Sequence, residues 1–401
     1  MSDCRRQALD AITRSDYEVA HDLAWRAVQK GKPNDPELMF VLARTMALSG
    51  RPGDALVMIG RIAERGPVPG DVTTDPDFRN VRDLSGWPAL EAKLTGKPAP
   101  PVPSAPSAAS APPSASTAAS APAAPTPTST AAGGVTFSAP NVDAFALAHD
   151  AVSRRFVLGD RRAHRLLVID EVSHNVTTYV SAQTAGFYDE LTALTIDVRR
   201  GDLWVASARG EGETRASVVH KLQLVSGRSL GEVRPPESAA AVQIVSLAVV
   251  PDGTVYALDA AGPRIFRVRP GQRTLEEVMR LKELPGSGQA ALAAAGEQVL
   301  YVAGRDQLLR VDAATRASIV VKGTKDLGAL ESLAWHNGAL VGIQHTGDRF
   351  DVVRLTLDGA GTRIVSRDVI ATSSSPSVGS VGGDSYYFLA DGGTIRRVQV
   401  R

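Results

Sequence analysis

The stretch SLAVVPDGTVYALDAAGPRIFRV, Ser246 to Val268, decides how the larger part of this chain is read. An apolar run, Leu247 to Val250, meets a turn at Pro251-Asp252-Gly253. A second, alternating run covers Thr254 to Asp259, and a Gly-Pro loop leads into Ile265 to Val268. Short runs of this kind, bounded by Pro, Asp and Gly, read as strands joined by tight turns. Outward from this stretch the arrangement recurs, with its first strand at Leu147, Leu194, Leu247, Leu292, Leu333 and Val378. The gaps between them run from 41 to 53 residues.

Units of that length and strand content are the blades of a β-propeller. The spacing predicts six blades over residues 134–401. Each first strand is small and apolar, as a strand lining a crowded central channel must be. The second strands mix aromatic and β-branched residues, with an aromatic in five of the six (Phe156, Trp204, Tyr256, Tyr301, Tyr386), which suits sheet-on-sheet packing between blades. The sixth unit shows only three strands before Arg401, so VTFSA, Val135 to Ala139, is expected to pair with it and close the ring.

Ahead of the propeller the pattern changes. DYEVAHDLAWRAV (Asp16 to Val28), ELMFVLARTMALSG (Glu37 to Gly50) and GDALVMIGRIAERG (Gly53 to Gly66) carry apolar residues at helical offsets. Ala20 and Ala55 lie 35 residues apart in equivalent settings. With Asp16-Tyr17, Ala24, Ala27, Leu42, Ala43, Gly50 and Pro67 they resemble the tetratricopeptide repeat. Cys4 and Met39 stand where that repeat has a large aromatic. Asp75 to Leu94 reads as a closing helix, with Phe78, Leu84, Trp87 and Leu90 packing back. Thr95 to Gly133 is almost entirely Ala, Pro, Ser and Thr, with nothing to bury and much proline to keep it extended. The chain therefore reads as multidomain: an all-α tetratricopeptide-like domain at 1–94, a disordered linker at 95–133, and an all-β six-bladed propeller at 134–401. The linker is expected to let the two ends move independently.

The bulk numbers exclude several classes. A net charge of +1 over 401 residues gives no field for nucleic acid or an anionic membrane. No apolar run approaches a membrane span. The one cysteine, Cys4, rules out an internal disulfide framework. MSDCRRQALDAI has no apolar core, so it is not read as a signal peptide. The linker composition favours a bacterial periplasmic or secreted setting if a leader has been removed, and a cytoplasmic one otherwise.

The six-fold series resembles the senescence-marker-protein/gluconolactonase propellers, with NHL-repeat propellers close behind, most strongly in SLAVVPDGTVYALD and ESLAWHNGALVGIQHTGDRFDVVRL. The resemblance implies one divalent cation at the channel mouth, held by a Glu and Asn or Asp residues just before several first strands. Here Phe145, Val245-Ser246 and Ala290-Ala291 occupy such positions, and only Glu331 keeps an acid, with Asp143 nearby in blade one. No HExxH motif and no phosphate-binding glycine loop is present. Polar residues expected at the mouth are Tyr188, Asp189, Glu190, Arg305, Glu331, Gln344 and His345. If Asp189, Glu190 and Glu331 converge, they offer a divalent cation such as calcium a different ligand set; His345 beside Glu331 offers a general base. Two functions follow. The first is non-catalytic: residues 1–94 hold a protein or peptide partner and the propeller mouth holds a small ligand. The second is a metal-dependent lactonase-type hydrolase with a rearranged site.

Overall fold

The computed structural model describes residues 2–32, 34–84, 86–96, 134–139, 141–282, 284, 290–304, 307–324, 327–374, 378–390 and 393–400. The segment expected to be a linker lies almost wholly outside them.

Four helices form two antiparallel pairs: α1 (Ser2–Thr13) with α2 (Tyr17–Lys30), and α3 (Pro36–Leu48) with α4 (Pro52–Ala63). Asp35 starts α3 by accepting hydrogen bonds from the Glu37 and Leu38 amides, and Pro36 follows in the first turn, where its missing N–H costs nothing. The expected closing helix is broken. A 3₁₀ turn, Pro76–Phe78, runs into a one-turn helix α5 (Arg79–Arg82), and α6 (Trp87–Thr95) starts afresh. Asp75 bonds the Asp77 amide and fixes the turn, which sets Phe78 against Phe40 at 5.5 Å. Phe78, Trp87 and Leu90 are buried as expected, and Leu84 is half-buried.

From residue 134 onward six four-stranded antiparallel sheets form a closed ring. Their inner strands are Ala144–Asp150, Glu190–Asp197, Ile244–Val249, Ala291–Ala294, Ala329–His336 and Gly379–Gly382, for blades one to six. The ring closes as the sequence predicts, although the closing strand is shorter: Gly134–Thr136 pairs antiparallel with Thr394–Arg396 and completes blade six. All inner strands run the same way, from one face, the mouth, to the other, the base. In blades one and two the turns after them on the base are held by aspartates. Asp150 accepts from the Val152 and Ser153 amides, and Asp197 from those of Arg199 and Arg200.

The helices do not stand apart from the propeller. They sit on the base of blades one and two, and the two regions share one apolar cluster. Trp25 is fully buried and its indole N–H donates to the Val198 carbonyl at 2.6 Å. Gly201 faces the same ring with φ of 68°, and a Cβ there would meet the indole at 2.7 Å. Asp54, fully buried, lies 3.8 Å from the Arg228 guanidinium. Arg61 lies with Arg155, Asp150 and Tyr179, where burial, with the Arg155 charge adding to it, pushes its pKa down to about 10. Arg155 in turn donates to Asp150 at 3.0 Å and to the Val225 carbonyl at 3.2 Å, tying blade one to blade two. The expectation of two independently moving ends is therefore corrected. The seat combines that shared apolar cluster with backbone carbonyls and buried charges, and the latter leave no apolar signature in the sequence.

Candidate functional site

The inner strands enclose a cavity of about 700 Å³ that runs from mouth to base. The repeat residues that defined the blades, Leu147, Leu194, Leu247, Leu292, Leu333 and Val378, all line it, one from each blade. They form an apolar girdle. On the mouth side of it stand Asp143, Arg161, Glu190, Gln243 and Glu331.

Local architecture explains how these side chains reach the rim. Four inner strands carry a bulge near their start, at Phe145, Thr192 and Val245 in blades one to three and over Ser332-Leu333 in blade five. A bulge re-aims the residues beside it. The blade-five bulge is the most distorted, with Ser332 at φ 50°. It is held by blade six: the Tyr386 hydroxyl donates to the Ser332 carbonyl at 2.9 Å, and the Gly379 amide donates to the Ser332 hydroxyl at 3.1 Å.

The loops of the mouth are set by a device that recurs in blades one and three. Asp160 ends the second strand of blade one and Arg165 opens the third, five residues on; Asp259 and Arg264 repeat this in blade three. The pairs are 3.1 and 2.6 Å long, and each aspartate also accepts the amide at the entry to its own inner strand, Asp143 or Gln243. Asp259 and Arg264 lie within the stretch that opened the reading. They serve architecture by fixing where Gln243 enters the rim. The Asp-x4-Arg repeat was a legible signal for this.

The sequence-predicted site residues divide. Glu331 and Glu190 both line the cavity. Glu190 is ion-paired with Arg215. Burial raises the Glu331 carboxyl above its ordinary range, and the nearby His345 offsets part of that. His345 is one strand over, opposite Ala329, while Glu331 faces Ile343. It is exposed and stacks on Phe350 at 4.5 Å. Tyr188 lies off the cavity lining, its ring under the Arg209 guanidinium at 4.3 Å and its hydroxyl accepting from Arg234 at 3.0 Å. Asp189 is exposed. Gln344 is fully buried and donates to the Leu327 carbonyl, because strand alternation turns it away from exposed His345 into the sheet. Arg305 lies outside the described residues.

Among the described residues no three His, Cys, Asp or Glu side chains group so as to hold a metal ion. The ligand set that the gluconolactonase resemblance implies is not among them. A different trio, which the sequence reading missed, is structural. The Ser207 hydroxyl and His220 Nε2 are 2.8 Å apart, with Glu232 3.8 Å from Nδ1, but Ser207 and His220 are both fully buried. The hydroxyl also accepts the Tyr188 amide at 3.1 Å, so it braces the entry to blade two.

No protein-family model matches the chain, and no curated protein does. Solved structures do resemble it. The allergen Mala s 1 of Malassezia sympodialis is 14% identical, over 66% of this chain and 96% of that one, with a TM-score of 0.50. Virginiamycin B lyase from Staphylococcus aureus is 12% identical over 67% and 99%, with a TM-score of 0.46. The PQQ-bound aldose sugar dehydrogenase of Streptomyces coelicolor is 13% identical over 68% and 98%, with a TM-score of 0.47. At these identities the likeness is one of fold alone.

Proposed function

We propose that this is a non-catalytic binding protein whose propeller takes a small ligand with a cationic, hydrogen-bond-donating head into its central channel. The observation that carries the reading is the cavity of about 700 Å³ opening among Asp143, Glu190 and Glu331. That volume is within the ordinary range of small-molecule sites. Arg215 already neutralises Glu190, and Asp143, Glu331 and Arg161 line the mouth beside it. Burial holds the Glu331 carboxyl above its ordinary range, so an ammonium group that pairs with it favours the charged form and expels a proton. Binding accordingly weakens as pH falls below the raised Glu331 value.

In this reading the propeller keeps a gluconolactonase-like frame without that family's cation. The paired helices, offset by 35 residues, support a tetratricopeptide-like platform for a protein or peptide partner. The test is calorimetric titration of the full chain with n-hexylamine and, separately, calcium chloride, alongside Glu331→Gln. Saturable amine binding, at least tenfold weaker in the variant, is expected. One-to-one calcium binding lost in the variant, with no heat from the amine, would replace this reading with the metal-dependent one.

A further inference from the structure

Arg161 stands in the mouth loop of blade one, directly after Asp160, which closes that loop on Arg165. Its amide donates to the Asp143 carbonyl at 2.8 Å, and its carbonyl accepts the His164 amide at 3.4 Å, so the backbone here is pinned to the rim. Blade three builds the same loop. Ala260 follows Asp259 there, and its amide donates to the Gln243 carbonyl, again at 2.8 Å. Arg161 and Ala260 hold equivalent places, so the loop closes as well on a methyl group as on a guanidinium. Architecture does not call for this arginine.

The Arg161 side chain lines the cavity. Other arginines of the mouth have their counter-ions, Arg165 on Asp160 and Arg215 on Glu190. Among the described residues Arg161 has neither an ion pair nor a side-chain hydrogen bond. Its Nε is buried without a partner, whereas the two terminal nitrogens keep accessible surface. Asp143 lines the same cavity and is tied to Arg161 through the backbone, yet the two side chains do not pair. The frame thus holds opposite charges side by side at the rim and leaves each open. A guanidinium half withdrawn from water is best matched by a carboxylate, which takes two parallel N–H···O bonds from its planar fork.

We propose that Arg161 anchors a carboxylate of the ligand, so that the channel takes an α-amino acid with a straight apolar side chain. This rests on the channel being the binding site and narrows its ligand. Arg161 stands with Asp143 and Glu331 on the mouth side of the leucine girdle, so both charges belong to one head. The ammonium lies toward the acids, the carboxylate on Arg161, and the apolar side chain enters among the girdle residues.

Calorimetric titration of the full chain compares L-norleucine with n-pentylamine, which lacks only the carboxylate, on the unaltered protein, Arg161→Ala and Arg161→Lys. Norleucine is expected to bind the unaltered protein about tenfold more tightly than the amine, as a charge-assisted pair allows. Arg161→Ala is expected to erase that preference, and Arg161→Lys, which keeps the charge and loses the fork, to retain part of it. The comparison in the unaltered protein stands even where a variant does not fold. Equal affinity for the two ligands there overturns the carboxylate anchor and leaves the channel reading intact. A preference that survives Arg161→Ala overturns the assignment to Arg161. Failure of both ligands to bind overturns both readings.

Discussion

His220 shows how a single buried side chain fixes a property of the whole fold. It is fully buried, and that burial holds its pKa down to about 4. An exposed imidazole titrates near 6.5. Above pH 6.5 the group is neutral both folded and unfolded and contributes no pH dependence. Between 6.5 and 4 the unfolded chain takes up a proton that the folded chain refuses, so stability falls as pH falls, by about 3 kcal/mol across the window. Urea denaturation at pH 7, 5.5 and 4.5 is expected to show this slope, and His220→Gln to lose it. Parallel slopes in the two proteins would assign the acid sensitivity elsewhere. None of this was legible in the sequence, where His220 is one of four polar residues in its strand and its partners Ser207 and Glu232 lie on neighbouring strands. Gln344 teaches the converse. The sequence reading grouped it with His345 because they are adjacent, but adjacent strand residues face opposite ways.

At the scale of the element, the six Leu-or-Val positions were the most legible feature, because a repeated role at the channel demands a repeated residue. The seat of the helices on the base was the least legible. Trp25 reads as one more apolar residue of α2, yet its indole N–H reaches the backbone of the turn after the second inner strand. A hydrogen bond to a carbonyl selects no residue type on the far side and leaves no trace there. Gly201 is the partial exception, since its positive φ and the indole pressed against it both call for glycine. Truncating a fully buried tryptophan costs about 3–5 kcal/mol. Trp25→Ala is therefore expected to split one calorimetric unfolding transition into two, the helices melting first. A single transition shifted as a whole would mean that the helices and propeller remain coupled through Asp54–Arg228 and Arg61.

The closed ring is the feature of the whole molecule on which the channel depends, since each of the six blades lends one residue to its girdle. Deleting residues 134–139 removes the strand that covers the Thr394–Gln399 edge. An uncovered edge strand recruits other chains, so the deletion is expected to raise self-association measured by light scattering; a monodisperse product would show that closure is not what protects this edge. The pairing also orders events during synthesis. Thr136 and Thr394, whose hydroxyls lie 3.3 Å apart in the ring, are 258 residues apart in the chain. The propeller strand that leaves the ribosome first must wait for nearly the last one before it finds its partner. The helices need no such delay, because every element of theirs is complete by Thr95. Domains tend to fold in the order they are made. By the time blades one and two emerge, the surface carrying Trp25, Asp54 and Arg61 is already in place. For a nascent ring that cannot yet close, it is a dock for the first two blades.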